Sequence, residues 1–195
     1  AAEAGGLDAV IAQGTEAGGH TGRIAGMALI PQIVDAVKIP VIAAGSIVDG
    51  RGLAAALALG AQGVWMGTRF IAATEAHAGG LYKQVIVDAG DEDTVITRSY
   101  SGKPMRVFQN EWTKDWESRP QDIQKFPAQA MLSSQAGVMG GIGGQIEGLT
   151  RERSAFAMGQ GAGGIHDVKS SREIIQEIMA EAEEVIARMA KLARA

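Results

Sequence analysis

Three short apolar runs, each ending in small residues, organise the first third of the chain. They are Asp8–Ala12, Val41–Ala44 and Gly63–Met66. The second is wholly apolar, the pattern of a strand covered on both faces. Helical spacing fills the gaps. Ile30, Ile33, Val34 and Val37 fall on one stripe, with Pro31 expected near the first turn and Ile39-Pro40 as the stop. Asp49 is placed to cap a second helix over Arg51–Leu59, which Gly60 ends. Strands recur at a spacing of roughly twenty to thirty residues with helices between, the rhythm of a parallel α/β sheet.

The rhythm weakens from Ala76 to Thr150. The pattern predicts a helix over Leu81–Ala89, a strand over Thr94–Tyr100 and a short helix over Arg106–Trp116. Pro120 and Pro127 interrupt the next stretch, and the glycines of Gly137–Gly148 predict irregular backbone. A last helix is clearly written. Ser170 and Glu173 form a capping box, and Ile174, Ile178, Met179, Ala182, Val185, Ile186 and Met189 make an apolar stripe expected to pack onto the domain. The chain thus divides into residues 1–75 with three βα units, an irregular and helical insertion over 76–165, and a C-terminal amphipathic helix over 166–195.

Three units cannot close an eight-stranded barrel. Either further strands lie outside this sequence or the sheet is small and open. The opening AAEAGG reads as the last turn of a helix with its glycine stop, which favours the first alternative.

Composition narrows the chemistry. The 195 residues carry no cysteine, which removes disulfides, thiolate metal sites and a cysteine nucleophile from this segment. A net charge of −4 argues against a nucleic-acid binder with a broad basic face. No apolar run is long enough to cross a bilayer and no signal peptide is visible, so the cytoplasm is the default compartment.

The chemistry gathers at the strand ends. After the first run come Gly14, Gly18, Gly19 and Gly22, with His20 among them. Glycines let the backbone approach a flat ligand closely, and a histidine there can exchange protons near neutral pH. Gln13, at the strand end, can donate to and accept from a heterocycle edge. The second and third strands run into Ala44-Gly45-Ser46-Ile47 and Met66-Gly67-Thr68-Arg69. In parallel barrels such loops bind phosphate through free N–H groups, and Thr68 adds a hydroxyl. Either loop alone is as well explained by a tight turn. Glu16 is either a carboxylate near the ligand or, the favoured reading, a solvated surface group, and Arg69 either offsets phosphate charge or, as favoured, pairs with Glu75. His77 is expected to face solvent and His166 carries a weak signal. GQGAGG at 159–164 is unspecific. Trp65, Trp112 and Trp116 read as packing residues, although Trp65 and Met66 stand directly before the third loop. No metal-ligating cluster is expected.

Taken together, QGTEAGGHTGR, PVIAAGSIVDGRGLAAALALGAQGVWMGTRFIA, SGKPMRV and MGQGAGG resemble the nitronate monooxygenase family, once named 2-nitropropane dioxygenases. The resemblance implies the C-terminal portion of a TIM-type (β/α)8 barrel with a C-terminal helical extension, binding FMN. It implies His20 as catalytic base and Gln13 and Gly18 at the flavin. Gly45, Ser46, Gly67 and Thr68 would hold the phosphate end, flanked by Trp65 and Met66, and Gln160 matches a glutamine near the site in part of the family. Ser46 stands where the family usually has a second glycine; it keeps the N–H and adds a hydroxyl. The family's N-terminal strands, which supply further flavin contacts, lie outside this sequence. The implied activity is oxidation of alkyl nitronates, and of nitroalkanes once His20 has taken the α-proton, with flavin carrying the redox step and oxygen accepting electrons. A flavin-dependent enoyl-thioester reductase shares the barrel and is the alternative; a half-barrel without activity is a further one. Small molecules are the expected partners, with neither nucleic acid nor membrane, and a homodimer is left open.

Overall fold

The computed structural model describes residues 3–193. Residues 1 and 2 of the expected opening helical turn lie outside the described residues; Glu3–Gly5 form a single 3-10 turn. The three apolar runs become strands β1 (Val10–Gln13), β3 (Val41–Ala44) and β4 (Gly63–Trp65), in one parallel sheet of order β1-β3-β4. Gln13 pairs with Ala44 and Ala44 with Trp65, so all three strands end on the same rim. This is an open three-stranded arc of a βα fold and not a closed barrel. Helices α1 (Gly26–Ala36) and α2 (Gly50–Ala58) cover one face, burying Ile30, Val41, Ala43 and Ala56 with Val10, Ile33 and Val34 against them. Asp49 caps α2 as its position predicted, accepting from the Gly52 N–H at 2.9 Å.

Pro31 lies inside α1 and not near its first turn. The helix starts earlier than the local sequence signals, because its first N–H, on Gly26, is held by both carboxylate oxygens of Glu16 at 2.9 and 3.1 Å. Glu16 is therefore a cap acting from ten residues upstream, and not the solvated surface residue expected.

A second sheet is antiparallel, in the order β2-β6-β5: β2 (Gly19–His20), β5 (Thr94–Thr97) and β6 (Met105–Phe108). The helix expected over Arg106–Trp116 is overturned. Its first part is the fully buried strand β6, and Asn110 then caps a short helix α5 (Glu111–Glu117) by a reciprocal box with Thr113. Arg106 disguises the strand. Its guanidinium is buried and donates to the Thr15 carbonyl and to Thr94 Oγ1, satisfying a charge that would otherwise mark a wet face. Trp112 and Trp116 are buried beside Tyr100, Met105 and Val107, as packing residues. Helices α3 (Thr68–Ile71), α4 (Gly80–Asp88) and α6 (Ala128–Gln135) complete this part of the chain, and the glycine-rich stretch beyond α6 is a run of turns.

The last helix, α7 (Ser171–Leu192), opens with the Ser170–Glu173 box and docks on α2. Ile174, Ile178 and Ala182 are buried there; a fully buried Ile contributes about 1.5–3 kcal/mol. The other half of the expected stripe stays open, with Met179, Ile186 and Met189 exposed. No helix among the described residues is long and apolar enough to cross a membrane.

Candidate functional site

The rim where β1, β3 and β4 end forms a cleft of about 200 Å³. Its walls include Gln13 and Gly18 from the first loop, Gly45 and Ser46 from the second, Trp65, Gly67 and Thr68 from the third, and Gly161 from a distant segment. Seven of the ten residues singled out in the sequence therefore share one concavity. Met66 does not: its side chain lies in an apolar cleft with Leu53, Phe70 and Ile178. Gln160 is exposed next to the wall residue Gly161. His20 is exposed just beyond Gly18, on β2, and its ring is not part of the cleft wall. Trp65 is 62 % exposed against the cleft and packs into no core, unlike the other two tryptophans.

The second loop turns through Gly45 at φ +113° and Ser46 at φ +52°. Gly45 can hold that backbone only because it lacks a Cβ. Ser46 is a non-glycine residue in the left-handed region, and its hydroxyl compensates. Its Oγ donates to the Glu16 carbonyl at 2.8 Å and accepts from the Gly161 N–H at 2.9 Å. The hydroxyl therefore ties the loops together and is not free for a ligand. The Ser46, Gly67 and Thr68 N–H groups, by contrast, meet no acceptor among the described residues. Thr68 Oγ1 accepts from the Gly159 N–H at 3.0 Å, which leaves its own hydrogen available to the cleft.

The sequence underrated the late glycines. A Cβ on Gly159 would come within 2.9 Å of the Glu16 carbonyl oxygen, and one on Gly161 within 2.9 Å of the Ser46 carbonyl oxygen. On the facing side, a Cβ on Gly18 would sit 2.6 Å from the Met158 carbonyl carbon. Two backbones meet here with no side chain between them, and the Gln160 N–H donates to the Glu16 carbonyl at 3.0 Å across the junction. The signal in MGQGAGG was a run of glycines with no strand before it, which fits close backbone contact better than a turn.

The backbone around His20 is held at several points. Gly19 (φ +76°) lets β2 swing over to pair with β6, His20 opposite Met105. Gln13 Nε2 donates to the His20 carbonyl at 2.8 Å, so the glutamine braces the loop that carries the histidine. The ring Nε2 lies 2.8 Å from Ser101 Oγ. Ser101 was not singled out from the sequence, although the SGKPMRV segment contains it. Below, burial lowers the pKa of the Arg106 guanidinium while the Glu16 carboxylate acts against that shift.

Arg69 is buried and pairs with Asp167, donating to its carboxylate at 3.0 Å and to its carbonyl at 3.2 Å. The expected Arg69–Glu75 pair is not formed. Glu75 instead accepts from the Ser171 N–H and hydroxyl at the start of α7, and these bonds hold its carboxyl down at about 2. His77 is exposed as expected, and His166 is exposed as well. No cluster of three or more metal-ligating side chains occurs among the described residues.

The family model for nitronate monooxygenase matches residues 1–181. A Mycobacterium tuberculosis protein named as a monooxygenase is 42 % identical over 182 residues, covering 91 % of this chain and 48 % of the relative. A Staphylococcus saprophyticus protein named as a nitronate monooxygenase is 44 % identical over 143 residues, covering 68 % of this chain and 40 % of its own. The chain thus spans about half the length of these curated relatives. FabK from Thermotoga maritima superposes with a TM-score of 0.85 at 38 % identity, over 97 % of this chain and 59 % of that one. The nitroalkane oxidase from Streptomyces ansochromogenes superposes with a TM-score of 0.81 at 32 % identity, over 96 % and 55 %. Since the family match runs through nearly the whole sequence and takes in every loop of the cleft, the chain belongs to the nitronate monooxygenase family.

Proposed function

We propose that this chain is the C-terminal portion of an FMN-dependent enzyme that oxidises alkyl nitronates, and nitroalkanes after deprotonation, with molecular oxygen. Residues 1–75 would supply the last three βα units of a (β/α)8 barrel, 76–165 an insertion around the second sheet, and 166–195 the closing helix. One observation carries the reading: three strand-end loops converge on one cleft and leave main-chain donors there without partners among the described residues.

The residues present fit FMN. A Cβ built on Gly67 would meet nothing within 4 Å, so it would project into open space in the cleft where a phosphate could come against bare backbone. The N–H groups of Ser46, Gly67 and Thr68, with the Thr68 hydroxyl, would hold the phosphate, and Gly45 keeps the turn tight enough to present them. Gln13, Gly18 and Trp65 would line the flat part of the cofactor. Met66 would contribute through its main chain, and Gln160 stands next to the wall. When bound, the flavin supplies one- or two-electron transfer between substrate and oxygen.

The protein's own share is proton transfer and placement. His20 would take the α-proton of a neutral nitroalkane, and the electron pair released from the C–H bond would pass to the nitro oxygens. A nitronate arrives without that proton and needs no base. The test is direct. The purified intact protein should show flavin absorbance and consume oxygen with a nitronate. Nicotinamide oxidation that depends on an enoyl thioester, without nitronate turnover, would instead select the reductase.

A further inference from the structure

We propose that Ser101 is a positioning residue that locks His20 in the Nε2–H tautomer, so that Nδ1 is the nitrogen that takes the proton. The proposal about the base rests on the functional reading above; the tautomer stands on geometry alone.

Ser101 is 3 % exposed, and its Oγ has three neighbours. His20 Nε2 lies at 2.8 Å, the Lys103 carbonyl oxygen at 3.2 Å and the Lys103 N–H nitrogen at 3.2 Å. A serine hydroxyl has one hydrogen to give and two lone pairs. Lys103 N–H can only donate, which takes one lone pair. The Lys103 carbonyl can only accept, and among the described residues the Ser101 hydroxyl is the donor that reaches it. That leaves one lone pair for His20, and the imidazole must then donate from Nε2. The opposite tautomer would turn the hydroxyl hydrogen toward Nε2 and withdraw it from the Lys103 carbonyl. Hydrogen accounting therefore selects Nε2–H and leaves the Nδ1 lone pair basic.

The serine can impose this because it cannot move. Gly102, at φ +82°, is wedged so that a Cβ would come within 2.5 Å of the Phe126 nitrogen. The stretch before it is anchored from α6, where Gln129 Nε2 and Ser133 Oγ both donate to the Ser99 carbonyl. On the histidine side, pairing of His20 with Met105 and the Gln13 bond fix the backbone. Ring and hydroxyl are thus both presented by backbone that is held in place.

The experiment uses the intact protein labelled with ¹⁵N-histidine, with the His20 signals assigned by their loss in His20→Asn. Nitrogen shifts at a pH where the ring is neutral should show Nε2 protonated and Nδ1 bare. In Ser101→Ala the two tautomers should exchange toward the mixture of a free imidazole, with far-UV circular dichroism unchanged. Nitroalkane turnover should fall about tenfold, about 1.4 kcal/mol in barrier, because the ring loses its fixed orientation together with its single tautomer, while nitronate oxidation falls by no more than about twofold. An Nδ1–H ring in the parent protein, or a tautomer unaffected by Ser101→Ala, would overturn the proposal. Absence of nitronate oxidation in the parent would sink the functional reading and leave the tautomer result to stand or fall by itself.

Discussion

Two glycines in the same cleft should respond oppositely to the same added methyl group. Gly18→Ala places a Cβ 2.6 Å from the Met158 carbonyl carbon and 2.8 Å from the Gly159 nitrogen. Both neighbours are backbone and cannot rotate away, so the Met158–Gly161 segment must lift off the first loop. Overpacking of this kind costs about 1–3 kcal/mol, and the Gln160–Glu16 hydrogen bond stretched with it adds about 1 kcal/mol, for a total of about 2–4 kcal/mol. Gly67→Ala meets nothing within 4 Å, and Gly67 has φ −94°, which an alanine adopts freely. Its effect on the fold should stay under about 1 kcal/mol, yet its methyl would enter the space proposed for the phosphate. Urea unfolding of cofactor-free protein should therefore separate the variants, a necessary precaution because loss of a bound ligand lowers a midpoint by itself. Flavin retained through gel filtration should fall in both, by roughly tenfold to a hundredfold in affinity for Gly67→Ala. If Gly67→Ala unfolds as early as Gly18→Ala, or holds flavin as tightly as the parent, the division between a glycine needed by the fold and one needed by the ligand is wrong.

His20→Asn should reduce nitroalkane turnover by about 10²–10⁴-fold while oxidation of preformed nitronate falls far less and flavin content holds, measured by oxygen uptake on both substrates. Equal losses on both would mean that the histidine orients the substrate and does not deprotonate it. Asp167→Ala strands the buried Arg69 guanidinium with only a carbonyl acceptor, and should cost about 1.5–3 kcal/mol in urea unfolding. Glu75 gives a pH signature. Its carboxyl is held at about 2 against an ordinary 4.5, chiefly by the Ser171 N–H. A lowered carboxyl stabilises the fold above its unfolded value and loses that contribution as pH falls through the folded one. The stability gap between the parent and Glu75→Gln should therefore close between pH 4.5 and about 2, and a gap that widens on acidification would contradict the docking of α7 on Glu75.

The legible part of the fold was the part that neighbouring residues decide. β3 appears at its predicted bounds, and the Asp49 cap and the Ser170–Glu173 box are formed as read, because each is settled within four residues of chain. The strand-end loops were found for the same reason. The hidden part depends on residues far away. The start of α1 is set by Glu16, the strand β6 by a buried Arg106 whose acceptors lie on two other segments, and the partner of Arg69 by the return of Asp167. Ser101 looked like one more serine before a glycine because nothing local says that it will sit against His20, 81 residues earlier. The exposed side of α7 shows the complementary limit: an apolar stripe announces a helix without saying how much of it this segment covers.

The seam between the first loop and the Met158–Gly161 segment has a consequence for assembly. Ser46 reaches Gly161 across 115 positions of chain, and Arg106 reaches Thr15 across 91. Contacts so distant carry a large loop-closure cost before they return any stability, so they form late. The parallel arc can assemble from the first third of the sequence, but the cleft acquires its last wall only after everything up to Gly161 has folded back. A chain that stops short of the late glycines would have the strands and their loops but lack the Gly161 wall of the cleft, so on the proposed reading cofactor uptake would be a late checkpoint on folding rather than a template for it.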